Sequence, residues 1–206
     1  HIAGIWQDVY LLALPKVHVE DVYVKPLVSK NMLELEVTVQ NNTEKKTDLQ
    51  LQGKINEWVN LAGTDVNSAP VPAWKLGQEA LKVAPVKVSI PANASTKVVL
   101  QVPVSGELNY WTPEQPNLYA VLLSLQAKKE ILDMKYERFG WREWTLQGTT
   151  QYLNGKPYQL RGDSWHFMGI PQMTRRYAWA WFTAIKGMNA NAVRPHAQIY
   201  PRFYMD

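Results

Sequence analysis

Cysteine is absent from this chain of 206 residues, which excludes disulfides, thiolate nucleophiles and cysteine-ligated metal centres. The four histidines are spread along the sequence and show no metal-ligand spacing such as H-E-x-x-H. Also lacking is an apolar run of the roughly 20 residues that cross a bilayer, so no membrane partner is predicted. The first residues, HIAGIWQDVY, include neither an initiator methionine nor the basic and apolar segments of a signal peptide. We therefore expect a piece of a longer protein, whose cellular compartment the sequence leaves open.

A large surplus of one charge is lacking as well. The 22 basic and 18 acidic residues give a formal net charge of +4, and the basic residues cluster no further than pairs such as Lys45-Lys46 and Arg175-Arg176. Nucleic-acid-binding proteins concentrate Lys and Arg on one face, so no nucleic-acid partner is predicted. With 46% hydrophobic and 19% charged residues, the composition is that of a globular protein with one or two buried cores.

Apolar and polar residues alternate through most of residues 17–146. In MLELEVTVQN the side chains of Leu33, Leu35, Val37 and Val39 point one way and the polar side chains the other, which is typical of a half-buried antiparallel strand. The alternation returns in STKVVLQVPVSG and LYAVLLSLQA, and turn-rich stretches separate the runs: QNNTEKK, PVPAWKLGQ and SIPANAS. The pattern predicts a mainly β protein, an antiparallel β-sandwich of immunoglobulin-like type.

The pattern changes after residue 146. Asn154-Gly155 in QYLNGKPYQL supplies the two residues with positive φ that a two-residue type I′ hairpin turn demands. LRGDSWH and NAVRPH are typical of short strands, and TRRYAWAWFTAIKGMN between them predicts a helix capped by Thr174, with Trp179 and Trp181 in the core. A strand-helix-strand succession indicates an α/β unit with parallel strands. Its natural completion is a (β/α)₈ barrel, whose active site lies at the carboxyl ends of the strands.

The chain contains five distinctive segments, in the order GIWQDVYL, WTPEQPNLYAVLLSL, ERFGWREW, YLNGKPYQLRG and IKGMNANAVRPH. Together they resemble signature passages of glycoside hydrolase family 2, which contains β-galactosidases, β-glucuronidases and β-mannosidases. The resemblance implies three parts. Residues 1–14 would end an N-terminal jelly-roll sugar-binding domain, residues 15–146 would form the immunoglobulin-like sandwich, and residues 147–206 would be the truncated start of the (β/α)₈ catalytic barrel.

The resemblance also implies a retaining mechanism with two glutamates about 5 Å apart, one the acid/base and one the nucleophile. In the family the acid/base follows an asparagine on a later barrel strand. Here Asn56-Glu57 lies in the middle of the predicted sandwich, in the wrong surroundings. We therefore expect both catalytic glutamates beyond Asp206, and we expect this fragment to be inactive alone.

Arg194 matches the family arginine that hydrogen-bonds the nucleophile carboxylate, a role suited to the fixed fork of a guanidinium. The alternative is an arginine that forms a salt bridge at the rim of the strand. His196 lies where the resemblance implies a histidine that bonds a sugar hydroxyl, although the family histidine comes three residues after the arginine and this one comes two after it. A loop histidine bonded to backbone is the alternative.

Three more residues at the end of the first barrel strand are candidates for substrate binding. Trp165 could stack on a pyranose ring and His166 could donate to a hydroxyl. Packing of the barrel wall and a satisfied core histidine are the alternatives. Asp163 stands where the family has a small or apolar residue, and a carboxylate there is costly unless it binds something such as a sugar hydroxyl.

A carbohydrate substrate is the predicted partner, and the sugar, its linkage and the oligomeric state stay open. No cofactor is required by the residues of this fragment, while Mg²⁺ or Na⁺ in the full-length enzyme is left open by the resemblance. A different hypothesis is a non-catalytic carbohydrate-binding or adhesion module built on the sandwich. In a third, the α/β segment is a structural appendage, which predicts no convergence of His166 and Arg194.

Overall fold

A computed structural model of the chain describes residues 9–61, 72–128, 130–166, 169, 172, 174–196, 200 and 204. The chain divides into two compact units. The sandwich unit comprises Ala13–Val59 and Trp74–Pro157, and the α/β unit contains Tyr158–Asp206 together with His1–Leu12 and Asn60–Ala73. Residues 1–8 of the predicted jelly-roll segment lie outside the described residues, and residues 9–14 form neither helix nor strand.

The described residues of the sandwich unit form ten strands in chain order. They are β1 (Val17–Leu27), β2 (Met32–Asn41), β3 (Thr47–Asn60), β4 (Trp74–Ile90), β5 (Ala94–Pro103), β6 (Tyr119–Ala127), β7 (Glu130–Phe139), β8 (Trp144–Gln147), β9 (Thr150–Leu153) and β10 (Lys156–Pro157), with a 3-10 turn at Val28–Lys30. One sheet has the order β1-β2-β5 and the other the order β4-β3-β6-β7, while β8, β9 and β10 form a small separate sheet. The described β1–β2, β2–β5, β3–β6 and β6–β7 pairs are all antiparallel. The predicted antiparallel sandwich is confirmed.

The alternation in the sequence builds the core directly. Leu33, Leu35, Val37 and Val39 of β2 are completely buried, and their polar neighbours on the same strand are partly exposed. Because successive side chains of a strand point to opposite faces, the apolar set faces the second sheet. Each fully buried side chain of this size contributes about 1.5–3 kcal/mol.

Of two segments that the sequence predicts to be turn-rich, one forms a turn in the structure and the other begins a strand. In QNNTEKK the buried amide of Asn41 donates to the Lys45 carbonyl at 2.9 Å and to the Pro91 carbonyl at 2.9 Å, which holds the turn together. PVPAWKLGQ was expected to be turn-rich, but strand β4 begins at Trp74 within it. The ring of Trp74 stacks on Trp58 of β3 at 4.0 Å between centroids, and this contact keeps the segment extended against β3.

The sandwich unit ends at Pro157 and so includes the small sheet of β8, β9 and β10. The hairpin turn has the two positive φ angles that were predicted, 53° at Asn154 and 75° at Gly155. The Asn154 side chain accepts from the Glu143 backbone N–H at 2.9 Å and donates to the Trp111 carbonyl at 3.1 Å. These two bonds attach the small sheet to the sandwich.

The described elements of the α/β unit are strand β11 (Gly162–Trp165), helix α1 (Arg175–Gly187) and strand β12 (Ala192–Pro195). The helix begins as predicted, because the Thr174 hydroxyl accepts from the Tyr177 backbone N–H at 3.1 Å. Trp179 and Trp181 differ from the expectation of a core position, with 43% and 38% of their surface exposed. The buried residue of this helix is instead Ala178.

Candidate active-site face

The parallel strands β11 and β12 organise the described part of the α/β unit. Their register sets Ser164 opposite Arg194 and Trp165 opposite Pro195. The pairing continues one residue further, since the His196 backbone N–H donates to the Trp165 carbonyl at 2.9 Å. Because both strands run in the same direction, the residues that follow them lie side by side at one edge.

Gly162 and Asn191 fix the beginning of this strand pair. A Cβ atom at Gly162 would lie 1.9 Å from the carbonyl oxygen of Ala192, so only glycine permits this approach. The Asn191 side chain accepts from the Arg161 backbone N–H at 2.7 Å and donates to the Gln159 carbonyl at 2.9 Å. Neither residue was assigned a role from the sequence. A glycine at the start of a predicted strand was the available signal for the first.

Side chains of the two strands alternate between two faces. One face, here named the histidine face, carries Ser164 and His166 from the first chain segment and Arg194 and His196 from the second. The opposite face carries Asp163, Trp165 and Val193, and the last two of these belong to a hydrophobic cluster with helix α1. The register therefore brings together three of the five predicted site residues, His166, Arg194 and His196.

The histidine face combines a guanidinium with two imidazoles. Arg194 Nη1 donates to the Ser164 hydroxyl at 2.9 Å. The rings of His166 and His196 stack at 4.2 Å between centroids with an interplanar angle of 27°. His196 Nδ1 is buried without a hydrogen-bond partner among the described residues. Such a surface offers a fixed cation and imidazole nitrogens that can donate or accept, which suits a carboxylate and neighbouring hydroxyl groups.

Trp165 and Asp163 are not brought to this face. Only 4% of Trp165 is exposed, and its ring lies 5.6 Å from Trp181, 5.2 Å from Tyr200 and 4.9 Å from Tyr204. An indole enclosed in this way has no face left for a sugar ring. The Asp163 carboxylate is exposed on the same side, and it accepts from the Ser164 backbone N–H at 2.7 Å.

Two tyrosines attach the aromatic cluster to the backbone of the site. The Tyr200 hydroxyl donates to the Trp165 carbonyl at 2.5 Å, and the Tyr204 hydroxyl donates to the Gln172 carbonyl. Burial raises the pKa of both phenols, that of Tyr204 to about 12. Both hydroxyls therefore stay protonated at neutral pH and remain hydrogen-bond donors to these carbonyls.

Carboxylates are scarce around the histidine face. The sequence contains no glutamate after Glu143, so none of the residues of β11, α1 and β12 can supply a glutamate pair. Within the described parts of the chain, no three or more His, Cys, Asp or Glu side chains converge in a way that could hold a metal ion. Over the same residues, no helix has the length and apolarity that a membrane span requires. The prediction of Mg²⁺ or Na⁺ in a longer enzyme stays a prediction.

Ser164 is the functional candidate that sequence reasoning missed. Its hydroxyl is the partner of Arg194 on the histidine face. The two-residue period of a strand places it on the same face as His166, and this period was the signal that could have found it. The match to Arg194 across the strands could not be read without the register.

Known proteins share this arrangement of sheets. The solved structure of a glycosyl hydrolase family 2 member from Bacteroides cellulosilyticus has a TM-score of 0.71 at 18% identity, and the match covers 93% of this chain and 24% of that chain. A family 2 β-galacturonidase from Eisenbergiella tayi, bound to galacturonate, has a TM-score of 0.71 at 18% identity over 94% of this chain and 31% of that chain. The fold is thus one that glycoside hydrolases use.

Sequence comparison makes the assignment specific. The family model described as Glycosyl hydrolases family 2 matches residues 17–142, and the chain belongs to that family. A β-galactosidase of Priestia megaterium is 27% identical over 198 residues, which are 94% of this chain and 18% of the relative. The chain spans about a fifth of the length of the curated relatives it matches.

Proposed function

We propose that the chain is part of a retaining exo-glycosidase that hydrolyses terminal β-linked sugars with β-galactosidase-like specificity. We further propose that residues 147–206 are the first units of its (β/α)₈ barrel. Family membership and the β-galactosidase relative support the reaction class. The parallel pairing of β11 with β12, with helix α1 between them in sequence, supports the barrel because this is its repeating unit.

The observation that carries the proposal is the convergence of Arg194, His166 and His196 on one face at the carboxyl ends of parallel strands. Arg194 is proposed as a positioning residue that holds the nucleophile carboxylate and keeps it ionised. His166 and His196 are proposed to bond sugar hydroxyls. A structural appendage has no need for this grouping of polar side chains.

The two glutamates of the retaining mechanism would come from polypeptide other than these 206 residues. One would protonate the leaving oxygen while the other attacks the anomeric carbon, and a water activated by the first would then hydrolyse the glycosyl-enzyme. The 206-residue chain would supply the binding face and the arginine, and it would be inactive alone.

Hydrolysis of a panel of p-nitrophenyl β-glycosides by the full-length product of the encoding gene, beside the 206-residue chain, tests this proposal. We expect the long protein to cleave one sugar, the galactoside first, and the short chain to cleave none. Activity in the short chain would refute the placement of the glutamates. Failure of the long protein on every sugar would refute the enzyme proposal and favour a binding module.

Arg194→Gln in the full-length protein tests the positioning role. We expect kcat to fall by about a hundredfold or more, as for the loss of one preorganised charge contact. The acid limb of the kcat/KM profile should also move to higher pH, because the nucleophile loses the cation that lowers its pKa. Arg176→Gln, on the exposed side of helix α1, is the matched control and should leave both unchanged.

A further inference from the structure

The guanidinium of Arg194 needs a partner to keep one orientation. The residue is exposed on the histidine face, and a long arginine side chain has many rotamers open to it in solvent. Among the described residues, its hydrogen-bond partner is the Ser164 hydroxyl, which accepts from Nη1 at 2.9 Å. The group that fixes Arg194 therefore lies on the neighbouring strand.

Ser164 is itself held in a fixed position. The register of the parallel pair sets it opposite Arg194, and its backbone N–H donates to the Asp163 carboxylate at 2.7 Å. The next residue, Trp165, is packed into the hydrophobic cluster with helix α1. A hydroxyl that is supported in this way can define the direction of a guanidinium, which bulk water cannot do.

The bond to Ser164 occupies one part of the guanidinium and leaves another part free. A guanidinium has five N–H donors in a planar fork, and the N–H of Nε and one N–H of Nη2 point in the same direction. Within the described parts of the chain, neither Nε nor Nη2 of Arg194 has a partner. Two parallel donors of this kind are what a carboxylate accepts in a bidentate pair.

The partner of Arg194 is neutral, which matters for its charge. Asp163 is the one acidic residue in the described part of the α/β unit, and it lies on the opposite face of β11. A serine hydroxyl orients the guanidinium without forming an ion pair with it. The cation therefore keeps its attraction for a carboxylate that comes from elsewhere.

We propose that Ser164 is a positioning residue for glycoside hydrolysis, whose hydroxyl holds Arg194 with its Nε and Nη2 donors toward the nucleophile carboxylate. This role rests on the proposed function of Arg194 and adds to it a residue of the neighbouring strand. Ser164 acts through the arginine and touches neither the sugar nor the reacting atoms. Its loss should therefore slow the chemical step and leave substrate binding in place.

Kinetics of the full-length protein on the p-nitrophenyl glycoside that it cleaves test this role. Ser164→Ala should lower kcat by about tenfold, as for the loss of one hydrogen bond to a charged group. KM should change by less than about twofold, since ground-state binding is not affected. In an Arg194→Gln background, Ser164→Ala should lower kcat no further, because the two residues act as one unit.

Two further variants separate the hydroxyl from the shape of the side chain. Ser164→Thr keeps the hydroxyl and should stay within about threefold of the original kcat, whereas Ser164→Val has the shape of threonine without the hydroxyl and should match Ser164→Ala. Both residues are β-branched and suit a strand, so this pair decides the role even if the alanine variant does not fold. Thr183→Ala is the matched control. It removes a hydroxyl of helix α1 that donates to the Trp179 carbonyl at 2.7 Å, and it should change neither kcat nor KM.

Equal losses of kcat from Ser164→Ala in the original and the Arg194→Gln backgrounds would overturn the positioning role. A rise in KM at unchanged kcat would make Ser164 a sugar contact instead. Equal activity of the threonine and valine variants would show that the hydroxyl is not used. Failure of the unsubstituted full-length protein on every glycoside would refute the proposed function itself, and it is seen before any variant is measured, so the two failures are distinguishable.

Discussion

The sandwich unit and the α/β unit bury very different residues. The sandwich core consists almost wholly of valine, leucine and isoleucine, among them Leu51, Ile55, Leu123 and Leu125 at 0% exposure. Among the described residues of the α/β unit, the buried cluster contains Trp165, Ala178, Tyr200 and Tyr204, and all of these except Ala178 are aromatic. Two of these aromatic residues use their hydroxyls as donors to backbone carbonyls.

The two kinds of core contribute differently, one to stability and the other to the orientation of the candidate site. Alkyl side chains between two sheets contribute by area removed from water and have no directional requirement. Rings with hydroxyl groups add hydrogen bonds of fixed direction. In the α/β unit these bonds hold the carbonyl of Trp165, one residue before His166. The aromatic cluster thus orients the strand end that carries the candidate site, while the aliphatic core supplies stability.

The largest expected effect is a loss of stability when the aliphatic core of the sandwich unit is truncated. Leu123→Ala leaves a cavity between the sheets and should lower the free energy of unfolding by about 2–5 kcal/mol. Urea denaturation followed by circular dichroism measures it. Leu146→Ala, at a leucine that is 65% exposed, should stay within about 0.5 kcal/mol of the original chain. Equal losses in both variants would show that burial does not distinguish these sites.

Gly162→Ala tests the backbone contact of the α/β unit. The added Cβ would lie 1.9 Å from the Ala192 carbonyl oxygen, so β11 and β12 must separate, at a cost of about 1–3 kcal/mol for overpacking. Amide hydrogen exchange at His196, whose N–H donates across the pair, should become faster while amides of β2 keep their protection. Gly187→Ala, where a Cβ meets nothing within 4 Å, is the control. Unchanged exchange at His196 would contradict the close strand contact.

Thr174→Ala removes the cap of helix α1. The backbone N–H of Tyr177 loses its acceptor, and the expected cost is about 1 kcal/mol. Thr174→Ser keeps a hydroxyl and should restore most of it. Near-ultraviolet circular dichroism of the aromatic cluster reports the change within the α/β unit. If the serine variant is as destabilised as the alanine variant, the methyl group rather than the hydroxyl is responsible.

The smallest expected effect concerns Tyr204, whose titration changes the stability of the fold only in alkaline solution. Burial raises the folded-state pKa of Tyr204 from 10.0 to about 12, so folding favours its neutral form. The resulting stability is complete below pH 10 and is lost as the pH rises from 10 through about 12. Unfolding of the α/β unit in alkaline solution, followed by tyrosinate absorbance, measures this loss. Tyr204→Phe should reduce the pH dependence, and an unaltered profile would mean that Tyr204 titrates as it does in the unfolded chain.

Sequence patterns predicted the elements better than the arrangement of the site. The alternation of β2, the Thr174 cap and the turn at Asn154-Gly155 follow from short-range rules, and all three are confirmed. The strand at Trp74 was missed because its extended form depends on stacking with Trp58. Such a contact between strands has no signal in the local sequence.

The candidate site shows the same limit. Arg194 was selected from the sequence by resemblance and His166 by its place at the end of a predicted strand, and their side chains share a face because β11 and β12 are parallel and in register. Trp165 was selected with them, yet the same two-residue alternation turns it toward helix α1. The two-residue period could be read from the sequence. The sequence did not show which of the two faces of the strand would meet the helix.

The amino-acid sequence by itself determined the family, the antiparallel sandwich and the change to an α/β pattern, because period, turn chemistry and motif order are local properties of a chain. Only the tertiary structure decided which polar side chains meet. Strand register sets Ser164 beside Arg194 and His166 beside His196. Register depends on contacts between residues far apart in the chain, and for this reason it could not be read from the sequence.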